Sequence, residues 1–412
     1  MKSNKRKQFR IYKSGGVFLN RRSFFKGFTT GILITVFVLL ATLGVLVYFD
    51  AANLGQLAGV IYRIQMYSFK PLSLEDMVTG AIEGVVQALE DPYSSYLSPE
   101  EYSDLDEHIS GTYGGIGLLI TESEDGRLMV VSPFKGTPAY KAGIKSGDII
   151  VRINGRDISK LSLEEAANLM KGEPGTRVKL TVLPQGNGKL REYSMVRENI
   201  HIPSAKGQIL TEDPRIAYIN LMMFSQQTGE DLKKVFEELD IKRVDGIVLD
   251  LRDNPGGSLE AALNVAGYFI SKGPAVHIVY RSGKKTLNAP DNYLGKPLVV
   301  LVNEGSASAS EIVAGAIKDS GSGILVGSKT FGKGLVQGLF EMRNGSALKL
   351  TTARYLTPNK HDIHKKGIEP HLEVEMDPEL VRQVILFAPD LERDLQLKKA
   401  VGVLKDQMEK NS

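Results

Sequence analysis

The chain has 412 residues and a formal net charge of +3, and it contains no cysteine. Its length exceeds that of one ordinary hydrophobic core, so we expect two or more domains. The lack of thiols excludes disulfides, cysteine nucleophiles and cysteine-ligated metals. Export to an oxidising compartment is therefore permitted but not indicated by cysteine usage.

The positive charge is concentrated at the N-terminus. Nine of the 51 lysines and arginines, but no acidic residue, precede Asp50. Without those nine, 42 basic residues face 48 acidic ones, which gives the rest of the chain a net charge of about −6. Because the body is mildly acidic and lacks a basic surface, a nucleic-acid partner is not expected.

An uncharged apolar stretch runs from Gly27 to Phe49. At about 1.5 Å per residue, a helix of this length spans a bilayer core of about 30 Å. The basic residues before it predict a cytoplasmic tail over residues 1–26 and a body that lies across the membrane. A cleaved signal peptide ending near residues 50–52 is the alternative, although its apolar core would be only about 7–15 residues long. We therefore expect a single-pass anchor in a bacterial cell membrane, with the lipid bilayer as partner and the body outside the cytoplasm.

The two ends of the body have helical character. Over residues 50–110, apolar side chains recur at three- and four-residue spacing between Met77 and Leu89, before a turn-rich aromatic segment over residues 91–97. The charged end over residues 376–412 predicts one or two further helices. Each region either packs on the main body or forms a dimer arm, and the sequence leaves both alternatives open.

A compact, strand-rich unit is predicted between these ends, over residues 111–197. Its strands are expected at residues 115–120, 128–131 and 148–153. A single clear helix begins with a capping box formed by Ser162 and Glu165.

The glycine-rich turn over residues 113–118 and the segment 136–148 give this unit a resemblance to a PDZ domain. In such domains the backbone N–H groups of the turn bind the terminal carboxylate of a peptide, and the following strand pairs with that peptide. The resemblance implies that the peptide is bound by Gly115, Ile116, Gly117 and Leu118.

From residue 198 onwards, buried strands alternate with amphipathic helices. Strands are predicted at residues 216–221, 246–251, 297–302 and 323–326, and helices at residues 229–239, 258–270 and 310–318. This alternation is typical of an α/β architecture with a largely parallel sheet, which we assign to residues 198–375.

Ser308 has two interpretations. With Glu311 three residues later, it fits the N-cap of a capping box. A serine at a helix start is also well placed as a nucleophile, because the free N–H groups and the helix dipole there favour negative charge. The Ala309 amide would then stabilise an oxyanion.

Lys333 lies in a glycine-rich segment over residues 327–338. An arbitrary lysine in such a loop is solvated, but a buried one can serve as the base for a serine. Its pKa would then have to fall from about 10.4 towards about 7–8. If the segment is extended, Gln337 shares a face with Lys333 and holds its amine by a hydrogen bond.

Three further segments have compositions that occur at binding sites. The glycine pair Gly256 and Gly257 follows a predicted strand, where backbone N–H groups face the ligand crevice of α/β folds and can stabilise an oxyanion. Residues 327–330 lack the ending of a phosphate-binding loop. The histidines between residues 361 and 371 lack a metal-binding pattern. No metal and no cofactor are therefore expected.

These motifs occur in an order that resembles the carboxyl-terminal processing peptidases, also called tail-specific proteases. The resemblance covers about residues 70–375 and depends on residues 91–96, the PDZ-like unit, and residues 249–257, 306–311 and 331–334. It implies a crotonase-like α/β spiral protease core with an inserted PDZ domain and terminal helical arms. It also implies Ser308 as nucleophile, Lys333 as general base, Gln337 as orienting residue, and an oxyanion hole from Ala309 with Gly256 or Gly257.

The expected function is that of an ATP-independent serine endopeptidase. Its substrates would be proteins or peptides with free C-termini, cleaved through an acyl-enzyme, and family resemblance favours a homodimer. The alternative from another class is a non-catalytic PDZ adaptor on a degenerate protease core. An acyl-CoA-type enzyme is disfavoured, because a peptide-binding insert has no use there.

Overall fold

The computed structural model describes residues 21–123, 125–186, 188–381 and 389–411, without the side chains of residues 21–27, 29, 43, 45–54 and 411. The chain divides into two compact units, residues 1–85 and 86–412. Each unit is described by itself.

The described part of the first unit contains helix α1 (Arg21–Tyr67) and all but the last two residues of helix α2 (Leu74–Gln87). Large apolar side chains of α1 are exposed, among them Leu33, Phe37 and Leu39. Across the part of the chain that the structure describes, no helix is long and apolar enough to cross a membrane. The side chains of several residues in the predicted span over 27–49 lie outside the described residues. The side chains of the predicted tail over residues 1–26 all lie outside them too.

The second unit opens with a short strand and a helix, β1 (Ser95–Leu97) and α3 (Pro99–Ser110). A capping box formed by Ser98 and Glu101 starts α3, and Gly111 in the left-handed region ends it. The aromatic segment predicted as a turn therefore ends in a strand. The reason is tertiary, since β1 pairs antiparallel with residues 347–349 far along the chain.

The strand-rich unit begins and ends in a two-stranded ribbon formed by β2 and β9. Its strands are β2 (Thr112–Gly115), β3 (Leu118–Glu122), β4 (Leu128–Pro133), β5 (Ile149–Ile153), β6 (Arg156–Asp157), β7 (Arg177–Leu183), β8 (Arg191–Val196) and β9 (Glu198–His201). Its helices are α4 (Pro138–Ala142) and α5 (Leu163–Met170). The strand order β3-β4-β5-β7-β8 forms an antiparallel sheet, with β6 paired to β5.

This unit has a hydrophobic core of its own. Val130, Val178 and Leu180 are fully buried in it, and α5 adds Ala166 and Met170. The predicted capping box of α5 is confirmed, because the Glu165 N–H donates to the Ser162 hydroxyl and the Ser162 N–H donates to the Glu165 carboxylate. A separate core permits this unit to fold as a module on the ribbon.

The remainder of the second unit is the α/β body. Its strands are β10 (Ala205–Leu210), β11 (Asp213–Leu221), β12 (Gly246–Asp250), β13 (Pro274–Tyr280), β14 (Gly283–Asn288), β15 (Leu298–Val302), β16 (Ile324–Gly327), β17 (Leu335–Glu341), β18 (Ala347–Leu356) and β19 (Leu372–Glu373). Its helices are α6 (Thr228–Glu238), α7 (Leu259–Phe269), α8 (Ala309–Ser320) and α9 (Leu395–Asn411).

The main sheet of the body has the strand order β10-β11-β12-β15-β16-β19. All of its pairs are parallel except β10 with β11, so the predicted parallel α/β layer is confirmed. Strands β12 and β15 are buried along their whole length, which explains their continuous apolar sequences. A second, antiparallel sheet has the order β1-β18-β13-β14, with β17 paired to β18. The description of this body as a crotonase-like spiral stays a prediction.

Helix α9 packs against the main sheet. Leu397, Ala400 and Leu404 are fully buried against β12, β15 and β16. The backbones approach closely, because a Cβ built on Gly246 would lie 2.9 Å from Leu404 Cγ. Of the two alternatives for the C-terminal region, the described part takes the one in which it packs on its own chain.

Candidate active site

Ser308 lies at the carboxyl end of β15, at the start of α8. It is the N-cap of that helix, and its backbone has φ 55° and ψ −112°. This conformation is strained for a residue with a side chain, and such strain tends to persist at functional sites because the surrounding structure enforces it. The turn leaves Ser308 half-buried, while its neighbours Ala307 and Ala309 are buried.

A hydrogen bond to Glu311 stabilises this strained turn. Its side chain is fully buried, and its Oε2 accepts the Ser308 N–H at 3.0 Å. This is the backbone half of the predicted capping box. The Ser308 carbonyl is held separately, because the Tyr355 hydroxyl donates to it at 3.0 Å.

The same carboxylate ties the lysine loop to the serine. The Thr330 hydroxyl donates to Glu311 Oε1 at 2.6 Å, and the Gly332 N–H donates to it at 2.8 Å. The Lys333 N–H donates to Glu311 Oε2 at 2.9 Å. Glu311 therefore accepts hydrogen bonds from both chain segments and brings the predicted nucleophile and the predicted base to one place. From the sequence, Glu311 appeared only as a helix-capping residue.

Ser308, Lys333 and Gln337 line one cleft of about 400 Å³, together with Gly256, Gly257 and Ala309. The structure therefore places these six residues at one cleft. The predicted hydrogen bond between Gln337 and the lysine amine is not formed: no bond joins the two side chains, and the donor Gln337 Nε2 is buried without a partner among the described residues. Gln337 nevertheless lines the same cleft as Lys333, and it lies next to a β-bulge in which Thr352 of β18 is the extra residue.

The Lys333 amine has an unusual environment. Burial lowers the pKa of Lys333 below its ordinary value, the charge of Lys349 lowers it further, and the Glu311 carboxylate acts in the opposite direction. Among the described residues, its Nζ forms no ion pair and no hydrogen bond. It lies 5.3 Å from the centroid of the Tyr93 ring. The solvated-loop interpretation of Lys333 is wrong for this structure, since the side chain is half-buried in the cleft.

The two glycines differ in their backbone N–H groups. Gly256 donates its N–H to Asn254 Oδ1 at 2.9 Å. Within the described part of the chain, neither the Gly257 N–H nor the Ala309 N–H has an acceptor. A Cβ on Gly256 would lie 2.8 Å from both Ser308 Cβ and the Ala309 nitrogen, so only glycine permits this close approach.

Some residues of the cleft were missed from the sequence. Tyr93 was noted only as part of a turn, yet its ring lies beside Lys333. Its segment is held in place because the Ser94 hydroxyl accepts the Thr351 N–H. Lys349 and Tyr355 carried no local signal, since both reach the cleft from β18. Only the order of motifs, which included residues 91–96, pointed to the Tyr93 segment.

The predicted peptide-binding turn lies at a second, smaller cavity. Ile116, Gly117 and Leu118 line a groove of about 140 Å³ beside α5, and Gly115 ends the strand that precedes it. The carbonyl oxygens of Ile116 and Gly117 are occupied by hydrogen bonds. Their N–H groups have no acceptor among the residues described, which leaves them free to bind an anion.

The histidines of the 361–371 segment are separated in space and have different partners. His371 Nδ1 accepts the Leu325 N–H at 2.9 Å. His361 lies 3.6 Å from Asp319, and the His364 ring contacts the Tyr93 ring. Each of these contacts is a structural one, and within the described residues no group of side chains could hold a metal ion.

We expect Glu311→Gln to lower the free energy of unfolding by about 1–3 kcal/mol, because an amide nitrogen would face N–H donors that now meet a carboxylate oxygen. Urea denaturation of the variant measures this loss. The matched control is Glu369→Gln, whose parent side chain is 61% exposed and pairs with Lys329. The control should change the free energy by less than about 1 kcal/mol. Equal losses in the two variants would contradict the role of Glu311 as the link between the serine turn and the lysine loop.

Comparisons with known proteins identify two domains in this chain. The model of peptidase family S41 matches residues 215–374, and the model of a PDZ domain matches residues 129–184. A solved structure, a putative S41 protease from Bacteroides fragilis NCTC 9343, superposes with a TM-score of 0.51 at 16% identity, covering 85% of this chain and 97% of that one. At that identity the likeness concerns the fold alone.

Two curated relatives are similar in sequence over most of the chain. The carboxyl-terminal-processing protease of Synechocystis sp. (strain ATCC 27184 / PCC 6803 / Kazusa) is 38% identical over 346 residues, which cover 82% of this chain and 80% of that protein. The carboxy-terminal processing protease CtpA of Bacillus subtilis (strain 168) is 40% identical over 305 residues, 73% of this chain. The chain spans 65% of the length of that second protein. By its site, its two matched domains and these relatives, the chain belongs to peptidase family S41, with the carboxyl-terminal-processing proteases.

Proposed function

We propose that this protein is a serine endopeptidase in which Ser308 is the nucleophile and Lys333 the general base. One observation carries the proposal: a serine held in a strained helix-start turn and a half-buried lysine of lowered pKa share one cleft, joined through the Glu311 carboxylate. A lysine must be neutral to accept a proton, and burial favours its neutral form. Activity should therefore rise with pH as Lys333 loses its proton.

In the first half of the reaction, Ser308 Oγ attacks the carbonyl carbon of the scissile bond while its proton passes to the Lys333 amine. The resulting oxyanion accepts hydrogen bonds from the N–H groups of Gly257 and Ala309, which have no other acceptor among the described residues. We choose Gly257 over Gly256 because the Gly256 N–H is already bound to Asn254. Collapse of the intermediate breaks the C–N bond, and the leaving amine takes the proton from Lys333.

In the second half, a water molecule attacks the acyl ester and gives its proton to Lys333. The ester bond then breaks, Ser308 regains the proton, and the new carboxyl end departs. Water is the sole co-reactant in this balance, so the proposed reaction is independent of ATP. Gln337 lies in the same cleft with an unpartnered Nε2, and we assign it the orientation of the lysine once substrate is bound. Hydrogen bonds of catalytic groups are commonly long in unliganded enzymes and tighten in the complex.

We assign recognition of the substrate tail to the PDZ groove. The free N–H groups of Ile116 and Gly117 suit a terminal carboxylate, and β3 offers its backbone to an extended peptide. The substrates we propose are proteins or peptides with a free C-terminus. The separate core of this unit supports its use as a recognition module.

We retain membrane anchoring through residues 27–49 as part of the proposal, on the strength of the charge asymmetry and the exposed apolar side chains of α1. The catalytic body would then lie outside the cytoplasm of a bacterial cell. A homodimer stays a prediction. The domain limits given from the sequence, with the PDZ unit at 111–197 and the core at 198–375, also stay predictions.

The proposal is tested by labelling with a fluorophosphonate probe, which reacts with activated serines. We expect one label per chain, at Ser308 by peptide mass spectrometry, and no label on Ser308→Ala. Ser328→Ala is the matched control, because Ser328 is a surface hydroxyl that binds Glu304 and should not affect labelling. If the wild-type chain binds tail peptides but remains unlabelled, the non-catalytic PDZ adaptor is the correct assignment instead.

A further inference from the structure

The side chains that line the active cleft include basic residues but no acidic ones. Two lysines, Lys333 and Lys349, line it together with the exposed His108, whereas none of its lining side chains is acidic. The Glu311 carboxylate, which acts on Lys333, is fully buried and already accepts four hydrogen bonds. A second positive charge therefore shares the cleft with the proposed base without an acid to neutralise it.

Lys349 is placed in the cleft by two neighbouring strands. On β18 it lies opposite Ser95 of β1 on one side and opposite Leu339 of β17 on the other. Its side chain is half-buried, and in the described part of the chain its ammonium forms neither an ion pair nor a hydrogen bond. Some other lysines of this unit are paired, as Lys171 is with Glu107 and Lys329 with Glu369.

We propose that Lys349 is a positioning residue for catalysis, whose positive charge holds the neighbouring Lys333 amine in the neutral form that a general base requires. The proposal rests on the assignment of Lys333 as base made above. Like charges that share a poorly solvated site disfavour each other's charged form, and a second cationic group is one of the known ways to activate a lysine. Lys349 does not touch the reacting atoms and acts only through Lys333.

The sign of the effect follows from the groups that face Lys333. From α8, Glu311 favours the charged amine, and from the segment before β1, the face of the Tyr93 ring does so too. Burial and Lys349 favour the neutral amine. Other titratable side chains around the cleft are Tyr355 and Arg354 on β18, His108 on α3, and His364 beside Tyr93.

These contributions give Lys349 a measurable share in keeping Lys333 neutral. Lys333 is only half-buried, so desolvation alone is incomplete, and two neighbours oppose it. Because Lys349 stands on β18 between two paired strands, the sheet sets the position of its backbone beside the cleft. The charge of Arg354 is paired instead with Asp362, at 3.5 Å. Within the described residues, Lys349 is thus the cation that the cleft keeps unneutralised beside the base.

The test is the pH dependence of kcat/KM for the full chain, with a peptide substrate whose side chains are all uncharged. For Lys349→Gln we expect the acidic limb of the profile to move up by about 0.5–1 pH unit, since the pKa of Lys333 rises when the like charge is removed. Below the limb the variant should be about 3–10-fold slower than wild type, and above it the two should converge. Lys349→Glu should move the limb further, and Lys349→Arg should leave it in place.

Salt provides an independent measurement on the same proteins. Raising the ionic strength screens the repulsion between the two lysines, so the wild-type limb should move towards that of Lys349→Gln, whose own limb moves less. The matched control is Lys284→Gln on β14, an exposed lysine away from the cleft, which should leave profile and rate unchanged.

A Lys349→Gln enzyme with an unmoved limb, or with a uniform loss of rate at every pH, would overturn the proposal and indicate a packing role. Either outcome leaves the proposed function intact, because cleavage would still depend on Ser308. Cleavage that survives in Ser308→Ala would instead overturn the proposed function itself.

Discussion

Ser308→Ala, Lys333→Met and the double variant should all cleave an apolar-tailed peptide at the same residual rate, at least about 10⁴-fold below wild type. The reason is that a nucleophile and its base act as one unit, so removing the second partner costs nothing once the first is lost. The measurement is kcat/KM for the full chain with each variant, taken above the acidic limb of the profile. Residual rates come from the oxyanion donors and from substrate binding, which these substitutions leave in place.

The fold should survive each of these changes. Lys333→Met puts an apolar side chain of similar length in place of a half-buried amine that has no hydrogen bond among the described residues. The midpoint temperature of thermal unfolding should therefore be unchanged or slightly higher. Lys329→Met is the matched control from the same loop, because its exposed side chain pairs with Glu369 outside the cleft. It should keep wild-type activity. Losses that multiply in the double variant would show that Ser308 and Lys333 act independently, and Lys333 would then not be the base.

Arg252→Met should destabilise the protein by about 3–5 kcal/mol, because it leaves buried carboxylates without their counter-charge. The Arg252 side chain is 1% exposed and donates to Asp250 on one side and to Asp394 on the other, with distances of 2.6 and 2.7 Å from Nη2. Its Nη1 also donates to Gln396 at 3.0 Å. Urea denaturation measures the loss. Cleavage should fall together with the folded fraction.

The control for this prediction is a similar pair at the surface. Arg243 bonds Asp240 at 2.7 Å but is 86% exposed, so Arg243→Met should cost less than about 1 kcal/mol. Adding Asp394→Asn to Arg252→Met should recover part of the loss, since it removes one uncompensated charge and keeps a side chain able to cap α9. If Arg252→Met is as stable as Arg243→Met, solvent compensates the carboxylates after the arginine is removed, and the predicted cost of the unpaired buried charges is wrong.

The Arg252 network also explains why the C-terminal helix belongs to the body. Asp394 Oδ1 accepts the Leu397 N–H in the first turn of α9 while the carboxylate binds Arg252. Arg252 in turn lies in the strand-turn that leads to Asn254, whose Oδ1 holds the Gly256 N–H. The last helix is therefore connected, through one arginine, to the turn that carries the glycines of the active cleft.

The sequence by itself determined the elements whose burial is periodic along the chain. Strands β11, β12, β15 and β16 and helices α6, α7 and α8 were each predicted within a few residues of their observed bounds, because each must bury a continuous face. Local hydrogen bonding equally fixed the α5 capping box and the Ser308 turn with Glu311. The order of motifs along the chain was enough to indicate the family and the pair Ser308 and Lys333.

Tertiary structure alone decided which distant groups meet. Arg252 binds Asp394 142 residues later. Lys349 reaches the cleft from β18, and the Tyr93 ring lies beside Lys333 from the segment before β1. Asn254 distinguished Gly256 from Gly257, because it accepts the N–H of the first and leaves that of the second without an acceptor among the described residues. Such contacts depend on how strands far apart in sequence come together in the sheets. No local pattern encodes that pairing, so the sequence predicts which elements form, whereas the folded chain sets the electrostatic environment of the site.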